Sequence, residues 1–274
     1  MDSLNVIDII DTLKKALEAG DENCIEKVAG AIEDLTFSWT GKQTEKMIAK
    51  NVDKETFFEA CKNGDFDFVR VALENNKSLA NAHDEINVTA LMYAVSNGHE
   101  NVAKLLIDNG ANVDGMGEGS VTPLTTAIYF NQFDTVRLLV ENNADLEIKN
   151  REGKTALALA VSENHYEIVK LLVENGADVN TEIEGFSLLM LLCSMDSINI
   201  AELLIKNGAA INKTNSNGFT ALMLACFSGN FEMAKLLVEN GANIEMRSTD
   251  GVTALSAAMS NGFTEIVQFL QSHL

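Results

Sequence analysis

The sequence lacks any uncharged apolar run of 18 residues, so nothing in it is long enough to span a membrane. Its first five residues are acidic and lack the basic region with which a secretory signal peptide begins. These two absences predict a cytoplasmic protein. Delivery into a host cell is the alternative if the chain is a bacterial effector.

Basic residues are also few, since 20 Lys and Arg stand against 40 Asp and Glu and give a formal net charge of -20. The acidic excess is spread along the chain rather than gathered in a tail. Such a field repels phosphate backbones and anionic lipid, so we expect neither nucleic acid nor a membrane surface as a partner. The charge leaves two explanations open, which are a basic protein partner and solubility alone.

One pattern recurs along most of the chain and is clearest in residues 150–180. Thr155 opens a short amphipathic helix, Asn164 and His165 interrupt it, and a second, more apolar helix ends at Gly176. Gly176 stands where a helix C-cap takes a positive φ. Two helices of about three turns bury too little surface to offset the entropy of ordering them, so copies of the unit must stack.

The first position of this unit recurs at intervals of 33, 33, 32, 33 and 33 residues, a period typical of a solenoid. By the same spacing the last second helix ends at residue 274, where we expect a complete C-terminal end. The six origins are Thr89, Thr122, Thr155, Ser187, Thr220 and Thr253.

Short motifs at fixed places in the units carry a resemblance to a known family. They are Thr122-Pro123-Leu124, the Thr-Ala-Leu variants at Thr89, Thr155, Thr220 and Thr253, the mid-unit Asn97-Gly98-His99, and the closing segments 109–114 and 175–180. In these motifs the chain resembles the ankyrin repeat family. The resemblance implies an all-α ankyrin-repeat solenoid of about seven helix-turn-helix units with short β-hairpin fingers.

The sequence departs from the family in one position of the turn motif Thr-Pro-Leu-His, because the histidine is missing from all six units. The hydrogen bonds that this histidine makes in the family must therefore be absent or replaced. The positions that correspond to it hold Met92, Thr125, Ala158, Met190, Met223 and Ser256.

The period also predicts the domain organisation. Residues 1–50 form an N-terminal helical cap, read as a degenerate repeat followed by an insertion, and residues 51–274 form the repeats. The predicted units lie near 51–83, 84–116, 117–149, 150–181, 182–214, 215–247 and 248–274.

No catalytic or metal-binding pattern accompanies the repeats. The glycine-rich segment 114–119 has no strand before it and no Gly-Lys-Ser/Thr, so it favours a hairpin loop that needs positive φ over a phosphate loop. His99 and His165 occupy equivalent turns without a second ligand at metal-binding spacing. Three cysteines share the sixth position after an origin, which predicts small buried side chains rather than disulfides or metal ligands: Cys61, Cys193 and Cys226. We therefore predict a protein that is not an enzyme and holds no metal or cofactor.

In proteins that this chain resembles, the finger tips and the exposed side of each first helix line a concave groove that grips partners. Carried over by position, this implies apolar partner-binding residues at Tyr93, Tyr129, Phe130, Phe186, Met195, Phe219 and Phe227. Exposed aromatic residues carry much of the energy of interfaces. A structural role, packing on a neighbouring hairpin, is equally open for Phe186 and Phe219.

Acidic residues on the expected finger tips surround these apolar positions. Besides Asp84 and Glu182 they are Glu85, Glu118, Glu152, Glu184 and Asp250. Apolar anchors within an acidic rim suit a protein or peptide that offers basic and hydrophobic groups. The sequence thus predicts a non-enzymatic protein-interaction module. The alternative is an acidic inhibitor, an immunity-type protein or an effector that targets a basic protein, and nothing in the sequence indicates an oligomeric state.

Overall fold

A computed structural model of the protein describes residues 52–117, 120–195 and 197–274. The predicted cap at 1–50 and the acidic residue Glu118 lie outside the described residues. Fourteen α-helices run in consecutive pairs through the described part of the chain: α1 (Lys54–Asn63), α2 (Phe66–Asn75), α3 (Ala90–Ser96), α4 (Glu100–Asp108), α5 (Pro123–Tyr129), α6 (Phe133–Glu141), α7 (Ala156–Ser162), α8 (Tyr166–Glu174), α9 (Leu188–Leu192), α10 (Ile198–Lys206), α11 (Ala221–Ser228), α12 (Phe231–Glu239), α13 (Ala254–Ser260) and α14 (Thr264–Gln271). A short 3-10 helix, Lys77–Asn81, follows α2.

A hydroxyl group caps the start of each first helix from α3 to α13. Thr155 Oγ1, for example, accepts a hydrogen bond from the backbone N–H of Ala158 at 3.3 Å, and the five equivalent Thr and Ser residues do the same. The cap satisfies one of the backbone donors that a helix start leaves unpaired. The residue that marks each origin in the sequence is therefore the residue that fixes where the helix begins.

The positions of the missing turn histidine are filled in two ways. In two units a hydroxyl returns a second capping bond, since Thr122 N–H donates to Thr125 Oγ1 and Thr253 N–H donates to Ser256 Oγ, both at 2.9 Å. In the other four units the position holds a buried apolar residue: Met92, Ala158, Met190 or Met223. The histidine's hydrogen bonds are thus replaced in two units and absent in four.

The helix pairs stack as a solenoid. Each first helix packs against the first helix of the next unit, and each second helix against the next second helix. Leucines two residues after the origins, such as Leu91, Leu124 and Leu157, are buried between the layers. Each contributes about 1.5–3 kcal/mol through burial. The all-α solenoid that the sequence predicts is confirmed.

A ladder of polar side chains ties each unit to the next one. Asn212 Nδ2 donates to the carbonyl of Gly241 at 3.1 Å, and Asn212 Oδ1 accepts from the N–H of Asn243 at 2.8 Å. Asn81 and Asn180 bridge their neighbours in the same way. These bonds satisfy backbone groups where a second helix has ended, so the asparagines help to set the stacking of units.

We call the turn before each first helix from α3 onwards a finger. One finger is a two-stranded antiparallel sheet in which β1 (Glu182–Ile183) pairs with β2 (Phe186–Ser187), with Glu182 opposite Ser187. It is the only sheet in the described residues. The other fingers are closed by isolated backbone bonds, as between Asn150 N–H and Lys154 O at 3.0 Å. They are too short to form a ladder.

The prediction that the glycine-rich loop needs positive φ is wrong for Gly115 and Gly117, neither of which has positive φ. Close packing explains these glycines instead. A Cβ on Gly115 would lie 3.0 Å from Thr89 Cγ2, and a Cβ on Gly117 would lie 2.8 Å from Met92 Cε. The loop therefore lies close against Thr89 and Met92, which leaves little room for a side chain at Gly115.

None of the helices in the described ranges has the length and apolar character that a bilayer crossing requires.

Candidate interaction surface

Three of the predicted anchor residues present most of their side chain to solvent. Tyr129 is 64% exposed, Phe130 52% and Phe227 55%. Tyr129 is the last residue of α5, Phe130 is its C-cap, and Phe227 lies one residue before the end of α11. The cores of these units use other residues, so the three rings are not needed to hold their own repeats together.

The rings of Tyr129 and Phe130 pack against each other. Their ring centroids are 5.3 Å apart and the ring planes meet at 85°, an edge-to-face arrangement favoured by the ring quadrupoles. The pair forms one wall of a cavity of about 380 Å³ between α5, α7 and the finger that precedes α7. We call this cavity the Tyr129 groove; Val121, Leu159, Glu152, Lys154 and Glu163 also line it.

Two of the three charged side chains that line the Tyr129 groove are paired with each other, and the third is not. Lys154 Nζ lies 3.0 Å from Glu152 Oε2, so these two largely offset each other. Glu163, the exposed C-cap of α7, makes no ion pair with any described residue. The groove therefore has an aromatic wall and one uncompensated carboxylate.

A second cavity, of about 720 Å³, brings Tyr93 and Glu85 together between α1, α3 and the finger that precedes α3. Tyr93 is half-buried against Phe58, with ring centroids 5.5 Å apart. Ile86, at the finger tip, is 57% exposed and lines the same cavity. Ile86 was not predicted from the sequence. The signal that could have identified it is an isolated apolar residue in an otherwise polar turn.

Asp84 is a structural residue and not a free member of the acidic rim. Its Oδ2 accepts a 2.7 Å hydrogen bond from the Tyr93 hydroxyl, and its Oδ1 accepts from the N–H groups of Ile86 and Val88. Burial raises the pKa of the Asp84 carboxyl, but the bonds from Tyr93, Val88 and Ile86 outweigh it, and the pKa is lowered. The bond to Asp84, followed by burial, raises the pKa of Tyr93 to about 12. The carboxylate holds the finger in shape.

Three other predicted anchors are partly covered. Met195 and Phe219 pack against the hydrophobic core, and Phe219 N–H also donates to Asn215 Oδ1 at 3.0 Å. Phe186 lies in β2 opposite Ile183 and is only 37% exposed. These positions combine a structural role with a limited outward surface.

The predicted acidic rim is largely exposed. Glu85, Glu152, Glu184 and Asp250 all lie on finger turns with their side chains in solvent. Glu152 is nevertheless paired with Lys154, and Glu182 forms an ion pair with Lys213 of the next finger.

The structure does not bring all the aromatic anchors together. Tyr129 and Phe130 belong to the unit of α5, and Phe227 belongs to the unit of α11, three units further on. Packed helices lie 8–10 Å apart, so three steps along the stack separate these positions by about 24–30 Å. The surface therefore presents two aromatic sites rather than one continuous patch.

Exposed apolar residues also occur at places that were not singled out from the sequence. Phe66, at the start of α2, is 41% exposed, and Met259 is 59% exposed. The residues that correspond to Met259 in other units, such as Ile128 and Val161, are buried because a following first helix covers them. No described helix covers α13 on that side, so its position in the stack and not its local sequence exposes Met259.

The described part of the protein holds no cluster of potential metal ligands. Within residues 52–117, 120–195 and 197–274, no three His, Cys, Asp or Glu side chains are placed to hold a metal ion. Cys61, Cys193 and Cys226 are buried, as predicted, and none forms a disulfide with another described residue. Burial raises the pKa of each thiol to about 12. His99 Nε2 lies 2.9 Å from the carbonyl oxygen of Lys62, which joins two units.

Comparison with known proteins identifies relatives of parts of the chain. It is 35% identical over 99 residues to an acyl-CoA-binding domain-containing protein 6 homolog of Dictyostelium discoideum, a match that covers 32% of this chain and 34% of that protein. It is 32% identical over 85 residues to M-phase phosphoprotein 8 of Rattus norvegicus, a match that covers 31% of this chain and 10% of that protein. The chain thus spans about a third or less of these relatives.

Among solved structures, the ankyrin repeat domain of Bcl-3, a unique member of the IkappaB protein family, superimposes with a TM-score of 0.72 at 26% identity. The match covers 77% of this chain and 97% of that domain. A family model for ankyrin repeats matches three times, over residues 13–117, 114–183 and 189–273. Such repeats are generally protein-protein interaction modules and typically lack enzymatic activity. Its helix pairs, its capping residues and these three matches show that the chain belongs to the ankyrin repeat family.

Proposed function

We propose that the protein is a non-enzymatic module that binds a protein or peptide in a concave groove formed by its fingers and the ends of its first helices. The observation that carries the proposal is the exposure of Tyr129, Phe130 and Phe227 at the ends of first helices. A solenoid gains nothing for its own core from aromatic rings in solvent. Buried beneath a partner, such rings dominate interface energies.

The arrangement of the surface suits an extended partner. The two aromatic sites lie about 24–30 Å apart, so a partner that reaches both must cross the units between them. The exposed carboxylates Glu152 and Glu184 lie on fingers along this path, and Asp250 lies on the finger that follows it. Charged residues at the rim of an apolar centre steer association and exclude unsuitable partners.

The test is capture of partners from native lysate by the wild-type chain and by the triple variant Tyr129→Ala, Phe130→Ala, Phe227→Ala, read by mass spectrometry. We expect the triple variant to lose the proteins that the wild type captures while its helical circular dichroism is unchanged. Phe66→Ala is the matched control, because it removes an exposed aromatic ring from a second helix. Unchanged capture by the triple variant would refute the assignment of the surface.

A second candidate function is that of an acidic inhibitor, an immunity-type protein or an effector that targets a basic protein. The net charge of -20 favours it, because such a field accelerates encounter with a basic surface. The salt dependence of the binding affinity separates the inhibitor from the module that binds through apolar contacts. Exposed charge pairs are screened at high ionic strength, and apolar contacts are not. Affinity that falls steeply between about 50 and about 500 mM salt supports the inhibitor, and affinity that changes little supports the apolar contact.

In both proposals the protein acts in a reducing compartment, either the cytoplasm or a host cell that receives it. Its buried, unpaired thiols at Cys61, Cys193 and Cys226 suit such a compartment.

A further inference from the structure

The Tyr129 groove places aromatic surface beside an unpaired carboxylate. Tyr129 and Phe130 each keep more than half of their surface exposed, so ring surface remains open to a ligand. A cation over an exposed aromatic ring gains about two- to fivefold in affinity. The wall of the groove can therefore attract a positive group as well as an apolar one.

The charges that face the groove also favour a cation. Lys154 is held by Glu152 at 3.0 Å, whereas Glu163 has no ion-pair partner among the described residues. Both α5 and α7 end at the groove, and the carbonyl end of a helix carries partial negative charge. Among the residues that line the groove, an anionic ligand would meet Glu163 and both helix ends, and the one lysine is paired with Glu152. Arg151 is exposed on the same finger but does not line the groove.

We propose that the Tyr129 groove receives an arginine side chain of the partner, a proposal that rests on the proposed function and names the chemistry of one of its contacts. The guanidinium lies over the Tyr129 and Phe130 rings and pairs with Glu163, and the aliphatic stem packs on Leu159. Arginine fits better than lysine because its planar head stacks on aromatic rings and pairs with a carboxylate through two parallel hydrogen bonds. The groove thereby selects for a basic residue flanked by apolar ones.

The experiment is a nuclear magnetic resonance titration of the full chain with three peptides that differ at one residue. The probes are acetyl-Gly-Leu-Arg-Leu-Gly-amide and the same peptide with Gln or Glu in place of Arg. We expect the Arg peptide to shift the backbone amide signals of Tyr129, Phe130 and Glu163, and the Gln and Glu peptides to bind there at least about twofold more weakly.

Two single substitutions make the test local. Glu163→Gln should lower the affinity of the groove for the Arg peptide about two- to fivefold, because it removes one exposed charge pair. Glu174→Gln is the charge-matched control, because Glu174 is exposed at the end of α8 and lies outside the groove, and it should leave the affinity unchanged. Tyr129→Leu should weaken the Arg peptide by a similar factor while keeping an apolar side chain.

The proposal is overturned if the Glu peptide binds the groove at least as well as the Arg peptide, if Glu163→Gln and Glu174→Gln have equal effects, or if the shifted signals lie elsewhere. Its failure is distinguishable from failure of the proposed function. If the triple alanine variant loses its partner but the Arg peptide ignores the groove, the interaction surface stands and the arginine contact does not. If the Arg peptide binds the groove but the triple variant keeps its partner, the arginine site stands and the surface assignment falls.

Discussion

The hydroxyl of Tyr93 donates a 2.7 Å hydrogen bond to Asp84 Oδ2 and so joins α3 to the finger that precedes it. The same carboxylate accepts two backbone N–H groups of the finger, from Ile86 and Val88. One side chain therefore determines the shape of the finger, and Tyr93 holds that side chain in place. The bond also makes this region of the protein sensitive to pH.

Tyr93→Phe should lower the free energy of unfolding by about 1 kcal/mol near neutral pH, because it removes a hydrogen bond to a charged acceptor at a partly exposed site. Urea unfolding measures the loss. Tyr166→Phe is the control, because the Tyr166 hydroxyl makes no hydrogen bond with the described residues. Equal losses in the two variants would contradict the role assigned to the bond.

The same pair predicts pH dependence at both extremes. The pKa of Tyr93 is raised to about 12, so its stabilisation is complete below its ordinary value of 10.0 and is lost as the pH rises towards 12. The pKa of Asp84 is lowered, so its stabilisation is present above its ordinary value of 3.8 and is lost as the pH falls through the lowered pKa. In an ultraviolet titration, Tyr93→Phe should remove the tyrosinate component whose midpoint lies near 12. A component that persists in the variant would belong to another tyrosine.

Gly64→Ala should destabilise the protein more than Gly153→Ala. Both glycines have positive φ, +74° and +73°, so the backbone strain for alanine is alike. At Gly64, however, the new Cβ would lie 2.5 Å from His99 Nδ1, whereas at Gly153 no atom lies within 4 Å. Moving the His99 ring breaks its contact with Lys62 O, an additional cost of about 1 kcal/mol. Thermal unfolding of the two variants measures the difference, and equal melting temperatures would contradict the packing argument.

Asn212→Ala should lower the free energy of unfolding by about 1–2 kcal/mol, because it removes two inter-unit hydrogen bonds, to Gly241 O and from Asn243 N–H. Asn217→Ala, in the next finger, is the control. It removes an exposed side-chain amide that makes no hydrogen bond with the described residues, and it should change stability by less than about 0.5 kcal/mol. Chemical denaturation measures both. If both variants lose the same stability, the ladder does not contribute to the stacking of units.

Cys61, Cys193 and Cys226 should react slowly with iodoacetamide in the folded protein. Burial raises each thiol pKa to about 12, which lowers the thiolate fraction on the order of a thousandfold near pH 8 and also blocks access. Peptide mass spectrometry of the labelled protein, with and without urea, measures the protection of each residue. Rapid labelling of Cys193 without urea would contradict the buried packing between α9 and α11.

The repeat itself was predictable from the sequence because its determinants are local. Thr155 caps its helix as the motif predicts, and Gly176 has φ 88° where the helix ends. Leu157 and its equivalents lie on the buried face because the helical period of 3.6 residues places them there. Helix starts, helix ends and the core face all depend on residues within a few positions of each other.

The candidate site was predictable only in part. The exposure of Tyr129, Phe130 and Phe227 agrees with their place in the repeat, but Phe219 and Met195 share the same kind of place and are partly buried. Contacts with neighbouring elements make the difference. Such contacts join residues about thirty positions apart, which no local pattern records.

The amino-acid sequence by itself determined the repeat period, the helix boundaries and the acidic surface, because short-range capping, helical periodicity and composition fix these properties. Only the tertiary structure decided which carboxylates are free, which aromatic rings lie in solvent and how far apart they are. The hydrogen bond from Tyr93 makes Asp84 a structural residue. Glu163, which lines the same groove as Tyr129, forms no ion pair with any described residue. The physical reason is that burial and charge pairing depend on atoms that stacking brings together from separate units.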